Sequence, residues 1–100
     1  MKISEISISY SNRNQNKLKI TSSNDSFKVL LDSWNKNTIE LQEEFKVLLL
    51  NRGNVVLGVY PMSKGGVSGT MVDAKLVFSV ALKCNASNII ICHNHPSGNL

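Results

Sequence analysis

Asn88-Ile89-Ile90-Ile91-Cys92-His93-Asn94-His95-Pro96-Ser97-Gly98 joins an apolar, β-branched run to a cluster of polar side chains able to bind a metal. A run with no polar alternation predicts a central strand over residues 88–92, covered on both faces. Polar, ligand-capable residues at the end of a buried strand are where α/β sheets tend to place their sites. Residues two apart on an extended backbone point to the same side. His93 and His95 can therefore aim both imidazoles at one point while Asn94 faces away. Pro96 then ends strand pairing and stiffens the turn. Imidazole is a common zinc ligand, but a catalytic zinc typically takes three protein ligands and keeps a fourth position for water. Two histidines alone do not make a site.

Upstream, Asp73 is placed to cap a helix whose apolar stripe is Leu76, Val77, Val80, Ala81 and Cys84. The stretch before it, residues 65–70, is too glycine-rich for a regular element and predicts a short strand or bulge. Further back, the apolar run 45–50 ends at Asn51-Arg52-Gly53-Asn54 and a second run, 55–60, ends at Pro61. This pattern predicts two strands joined by a tight turn. A first helix is expected over about 25–35, because Ser22, Ser23 and Asn24 offer capping oxygens and Phe27, Leu30, Leu31 and Trp34 share one helical face. Trp34 reads as a residue packed in the core or at the helix end. Ile6, Ile8 and Tyr10 alternate with Ser7 and Ser9, and Leu18 and Ile20 alternate again beyond a polar Ser/Asn run. This predicts a β-hairpin extension over residues 1–22, ahead of a domain over 23–100.

One hundred residues, 42% hydrophobic and 18% charged, suit one soluble domain of α/β class. No apolar stretch is long enough to span a bilayer and the first residues lack a signal-peptide core, so a cytoplasmic location and no membrane partner are expected. Cys84 and Cys92 lack CxxC spacing and read as free thiols. The net charge of +4 arises after Glu44, where Lys46, Arg52, Lys64, Lys75 and Lys83 face only Asp73. These five are scattered singly, without the clustering or aromatic interleaving of a nucleic-acid surface, and read as solvated positions.

The hexapeptide His93-Asn94-His95-Pro96-Ser97-Gly98, preceded by its apolar strand, strongly resembles the metal-binding signature of the JAB/MPN superfamily, in the wording of its RadC branch. The resemblance reaches back through Glu43-Glu44-Phe45-Lys46-Val47-Leu48-Leu49-Leu50-Asn51, which looks like the family's first core strand, and takes in Gly69-Thr70 and Ala86. It covers about residues 23–100. It implies a three-layer α/β/α sandwich with a mixed sheet, of cytidine-deaminase-like architecture, incomplete at its C-terminal end. It also implies a zinc-dependent hydrolase of the JAMM type, cleaving peptide or isopeptide bonds. Carried over residue by residue, His93 and His95 are the Zn2+ ligands. Glu43 is the catalytic base, with Glu44 as the alternative because a slip of one residue reverses the face. The family's third ligand is an aspartate in a later Pro-Ser-x-x-Asp pattern. The sequence ends at Leu100, before that pattern, and Ser97 is not its serine.

The partners so implied are a protein or peptide substrate, with a nucleic-acid association suggested by the DNA-repair label the family carries, and self-association where apolar surface beside residues 88–92 is left uncovered. The competing class is a catalytically inactive JAB/MPN module for interaction or DNA association. Two other zinc folds do not fit. In HNH nucleases the named residues are dispersed over a strand-strand-helix unit, and zinc deaminases need a Glu two residues after the His and a later PCxxC. His95 stands at the first of those positions, and the second motif is absent from the sequence.

Overall fold

The computed structural model describes residues 2–12, 17–65 and 72–96. Its elements run α1 (Ser23–Ser33), β1 (Glu44–Leu50), β2 (Val56–Lys64), α2 (Ala74–Lys83) and β3 (Asn88–His93). The three strands form one sheet in the order β2-β1-β3, antiparallel at both pairings. The domain is therefore α/β, and the sheet among the described residues is antiparallel where a mixed one was expected.

The helix starts follow from local chemistry. Ser22 caps α1 by accepting a hydrogen bond from the Asp25 amide at 3.2 Å. The Asp25 carboxylate in turn accepts from the Thr21 hydroxyl at 2.7 Å and the Thr21 amide at 2.9 Å, and these bonds hold its pKa below the usual carboxylate value. Asp73 caps α2 through bonds from the Lys75 and Leu76 amides, at 3.0 and 3.4 Å. At the far end of α2, Asn85 takes a left-handed φ of 55°. The Asn85 amide bonds the Leu82 carbonyl and the Ala86 amide bonds the Ala81 carbonyl. This paired closure satisfies the last carbonyls and turns the chain toward β3. The Ser87 amide then reaches the Leu50 carbonyl at 2.9 Å, which starts the β1/β3 ladder.

The β1–β2 turn is built on Asn51, whose Oδ1 accepts from the Gly53 and Val55 amides at 2.9 and 3.0 Å. Asn54 supplies the left-handed residue, with φ 62°, a conformation asparagine tolerates better than most side chains. In β2 the pairing with β1 skips one residue at Leu57 and again at Met62. Pro61 lies beside the second skip, and on an edge strand its missing N–H costs no ladder bond to a further neighbour.

The core has two halves, one on each face of β1. Leu48 and Leu50 meet Leu30 of α1 and Ile20, with Ile90 and Cys92 against them. Val47 and Leu49 meet Val77 of α2 and Met62, with Phe45 and Ile89 alongside. Alternation along β1 thus sends α1 and α2 to opposite faces. The strand buried on both sides is β1, not the 88–92 strand expected from its isoleucines. β3 lies at the sheet edge among the described residues, and Ile91 is 45% exposed. An all-apolar run says that both faces can be covered, while pairing decides which strand sits in the middle.

A β-hairpin is expected over residues 1–22. Residues 2–12 contain no strand, and Ile6 is 85% exposed. Leu18 and Ile20 pair instead with the β1–β2 turn: the Ile20 amide bonds the Asn54 carbonyl at 2.8 Å, and the Val56 amide bonds the Leu18 carbonyl at 2.7 Å. The free edge at that turn offers backbone partners and Ile20 gains a buried place, which a two-stranded ribbon standing alone would not provide. The expected strand or bulge over 65–70 falls mostly outside the described residues. Both cysteines are free and half-buried, and burial pushes both thiols above their usual pKa. No helix among the described residues is long and apolar enough to cross a membrane.

Leu48 has no exposed surface and lies at the centre of β1. Leu48→Ala should therefore lower unfolding free energy by about 3 kcal/mol in urea denaturation, through lost burial and a cavity. Leu82→Ala, at a position 76% exposed, should change it by no more than about 0.5 kcal/mol.

Candidate metal centre

The register of β3 against β1 positions the histidines. Phe45 lies directly opposite His93, so the two side chains share a face of the sheet. Their rings stack at a centroid distance of 4.6 Å, tilted by 34°. His95 follows two residues later, and its ring meets that of His93 edge-on at 4.4 Å between centroids. Both histidines are exposed. The period-two expectation for the pair matches this geometry, which presents two imidazoles side by side to solvent. Among the described residues no third His, Cys, Asp or Glu joins them in a group able to hold a metal.

Asn94 leaves the chain on the other side. Its Oδ1 accepts from the Glu44 amide at 2.8 Å, and its Nδ2 donates to the Ile39 and Gln42 carbonyls at 2.5 and 2.9 Å. The sequence says only that Asn94 faces away from the imidazoles. What it reaches depends on a loop some fifty residues upstream.

The two glutamates are separated by the same alternation. Glu43 lies just before β1, half-buried, with its carbonyl accepting from the Gly65 amide at 2.8 Å. It precedes Phe45 by two residues, and Phe45 faces His93, so strand parity assigns Glu43 to the histidine side. Glu44 is buried on the α1 side, with its carboxylate 4.0 Å from Lys46 Nζ. Lys46 is itself buried. Its ammonium donates to the Ser33 carbonyl at 2.7 Å and sits over the Trp34 ring, 4.9 Å from the centroid. Glu44 and Lys46 thus tie β1 to the end of α1, away from the imidazoles. Trp34 is buried at the helix end, as its place on the apolar stripe suggests. In the sequence Lys46 is one of five scattered cations, and no local signal marks a lysine that reaches a distant helix end.

An apolar hollow of about 160 Å³ adjoins this region, walled by Phe27, Leu31, Trp34 and Ile39 of the α1 side and reaching Cys92 and His93.

Removing one member of the Glu44–Lys46 contact should be costlier than removing both. Lys46→Met leaves the Glu44 carboxylate buried and strips the Ser33 carbonyl of its donor, so a loss of about 3 kcal/mol is expected. The double variant with Glu44→Gln should recover part of that loss in chemical denaturation. Additive losses in the four-way comparison would mean that the contact carries no coupling.

The RadC-like JAB domain family matches residues 20–100. The chain is 46% identical over 82 residues to a UPF0758 protein of Flavobacterium johnsoniae, an alignment that covers 82% of this chain and 34% of that relative. It is 41% identical over 83 residues to a UPF0758 protein of Clostridium beijerinckii, covering 83% of this chain and 35% of the relative. A UPF0758 protein of Staphylococcus haemolyticus is 36% identical over 84 residues, covering 84% of this chain and 36% of its own length. The chain spans about a third of the length of these curated relatives. The match starts at Ile20, the residue that enters the core beside the β1–β2 turn, and runs through both helices and all three strands to the histidine pair. On this match and these identities, the chain belongs to the RadC-like JAB domain family.

Proposed function

We propose that the chain carries the histidine pair and the general base of a zinc-dependent hydrolase of the JAMM type, a metallopeptidase acting on a peptide or isopeptide bond. The observation that carries this reading is the pair of exposed imidazoles at the end of β3, 4.4 Å apart between centroids. Two neutral nitrogen donors on one side of a strand suit zinc, and their exposure leaves room for further ligands and a substrate. In this reading the antiparallel sheet and its helices are the front part of a three-layer α/β/α sandwich with a mixed sheet. The third ligand is an aspartate outside these 100 residues.

His93 and His95 would hold the metal, and Phe45 fixes the plane of the His93 ring by stacking on it. When bound, zinc supplies a Lewis acid that polarises a carbonyl and lowers the pKa of water toward ~7. Glu43 accepts a proton from the attacking water on a carboxylate oxygen and returns it to the leaving amine. Glu44 takes no part, because its carboxylate lies beside Lys46 on the opposite face.

The DNA-repair label of the family has less support from the surface. Lys46, one of the five cations in the basic half, is buried and used internally. The exposed remainder sits on separate elements: Arg52 in the β1–β2 turn, Lys64 at the end of β2, and Lys75 and Lys83 at the two ends of α2.

Calorimetric zinc titration tests the ligand pair. His93→Ala and His95→Ala should each weaken binding by more than the roughly 10–100-fold that loss of a supporting hydrogen bond costs a metal site. With two imidazoles and no anionic ligand, the 100-residue chain should retain little zinc after dialysis against a chelator. In a chain extended through the aspartate, Glu43→Gln should lower hydrolysis of an isopeptide substrate by about 10²–10⁴-fold with zinc affinity unchanged. Zinc binding indifferent to both histidine substitutions would sink the reading. Salt-dependent DNA binding that ignores the metal would favour the inactive, DNA-associated module instead.

A further inference from the structure

Two of the three bonds of Asn94 fall on the residues that flank Glu43. The Gln42 carbonyl, which accepts from Nδ2, immediately precedes Glu43 in the chain, and the Glu44 amide, which donates to Oδ1, immediately follows it. The Glu43 carbonyl is held separately by the Gly65 amide. The backbone of this one residue is thus fixed on both sides by the side chain just past β3 and in the middle by the chain just past β2. The third bond, from Nδ2 to the Ile39 carbonyl, ties down the segment leading into β1.

We infer that Asn94 is a positioning residue: by clamping the backbone on either side of Glu43 it sets that carboxylate against the imidazoles of its own neighbours, His93 and His95. The inference rests on the hydrolase reading for the roles of Glu43 and the histidines, while the clamp itself rests on the hydrogen bonds. Strand alternation makes the arrangement compact. His93 and His95 leave the chain on one face, the amide between them leaves on the other, and that amide grips the next strand at the point where the base departs. Ligands and base therefore share a single three-residue reference frame. Asparagine suits the position because its amide supplies two N–H donors for two carbonyls and an oxygen for one N–H. Aspartate has the same shape and keeps the acceptor, but it cannot donate and would set negative oxygen against two carbonyls. Serine is too short to span all three partners.

Asn94→Asp and Asn94→Ser separate positioning from mere folding. Amide exchange by NMR should show protection at Glu44 reduced by at least about tenfold in Asn94→Ser, which removes its acceptor, with the Leu48 amide still protected, since local opening leaves the global core intact. The zinc affinity of His93 and His95 should be unchanged. The Glu43 carboxyl carbon, which should shift on zinc addition in the unsubstituted chain, should lose that response in the variants. In the zinc-loaded extended chain, kcat for an isopeptide substrate should fall about 10²-fold with KM unchanged, the cost of a base displaced by about 1 Å. Unaltered protection at Glu44 would overturn the clamp. Lost protection with an intact zinc response at Glu43 would overturn positioning and leave a loop anchor. If Glu43 in the unsubstituted chain ignores zinc that the histidines bind, the hydrolase assignment of Glu43 fails, and the exchange data still decide whether the clamp exists.

Discussion

The pairing of β1 with β3 is the constraint on which the rest depends. It sets Phe45 opposite His93, Val47 opposite Ile91 and Leu49 opposite Ile89, so every side chain of both strands is committed to a face. A slip of one residue would turn Leu48 toward α2 and Val47 toward α1, exchanging both halves of the core at once. The same slip taken up by β3 instead would carry His93 away from Phe45 and bring Asn94 to the face now held by the imidazoles. Core packing and the placement of the candidate site are therefore specified by one register. The several kcal/mol held in the burial of Val47 to Leu50 protects the site geometry as well as the fold.

The two helices are attached by different means. α2 lies against its face through Val77 and the half-buried Val80 and Ala81, and its capped ends aim it: Asp73 at the start, the left-handed Asn85 at the finish. α1 has an apolar contact through Leu30 and also a polar one, the Lys46 ammonium that reaches the Ser33 carbonyl and lies over Trp34. A buried lysine is costly unless its donors find partners. Here the helix end offers an orphan carbonyl, the indole offers a π face, and Glu44 supplies a countercharge at the edge of contact distance. The same arrangement removes Glu44 from the histidine face, leaving Glu43 as the carboxylate whose parity suits that side.

Features confined to one element were legible in the sequence. The capping roles of Ser22 and Asp73, the stop at Asn51 to Asn54, the extent of α1 within two residues at each end and the side-by-side histidines all follow from periods and turn chemistry that act over a few positions. Features that depend on a choice of partner were not. Ile6 and Ile8 alternate as well as any strand, yet alternation does not name a neighbour, and Leu18 and Ile20 found a better one at the β1–β2 turn. The isoleucines of β3 announce tolerance of burial, while the middle of the sheet went to β1. For the site, two imidazoles could be placed by counting, and Glu43 could be separated from Glu44 only once Lys46 was seen to hold Glu44 on the other face.

Asn94 shows why the letter between two histidines can matter as much as the histidines. A strand end that projects two imidazoles to one side must project its middle residue to the other, and that direction leads back into the protein toward the start of β1. An apolar residue there would bury surface but leave the Gln42 and Ile39 carbonyls and the Glu44 amide without these partners, in a region where water has limited access. A charged residue would satisfy either the carbonyls or the amide, never both. The carboxamide satisfies all three and so converts an obligatory by-product of strand geometry into a connection between two distant segments. Because the connection is made by directional bonds on both sides of one residue, it fixes orientation where apolar contact would fix only proximity.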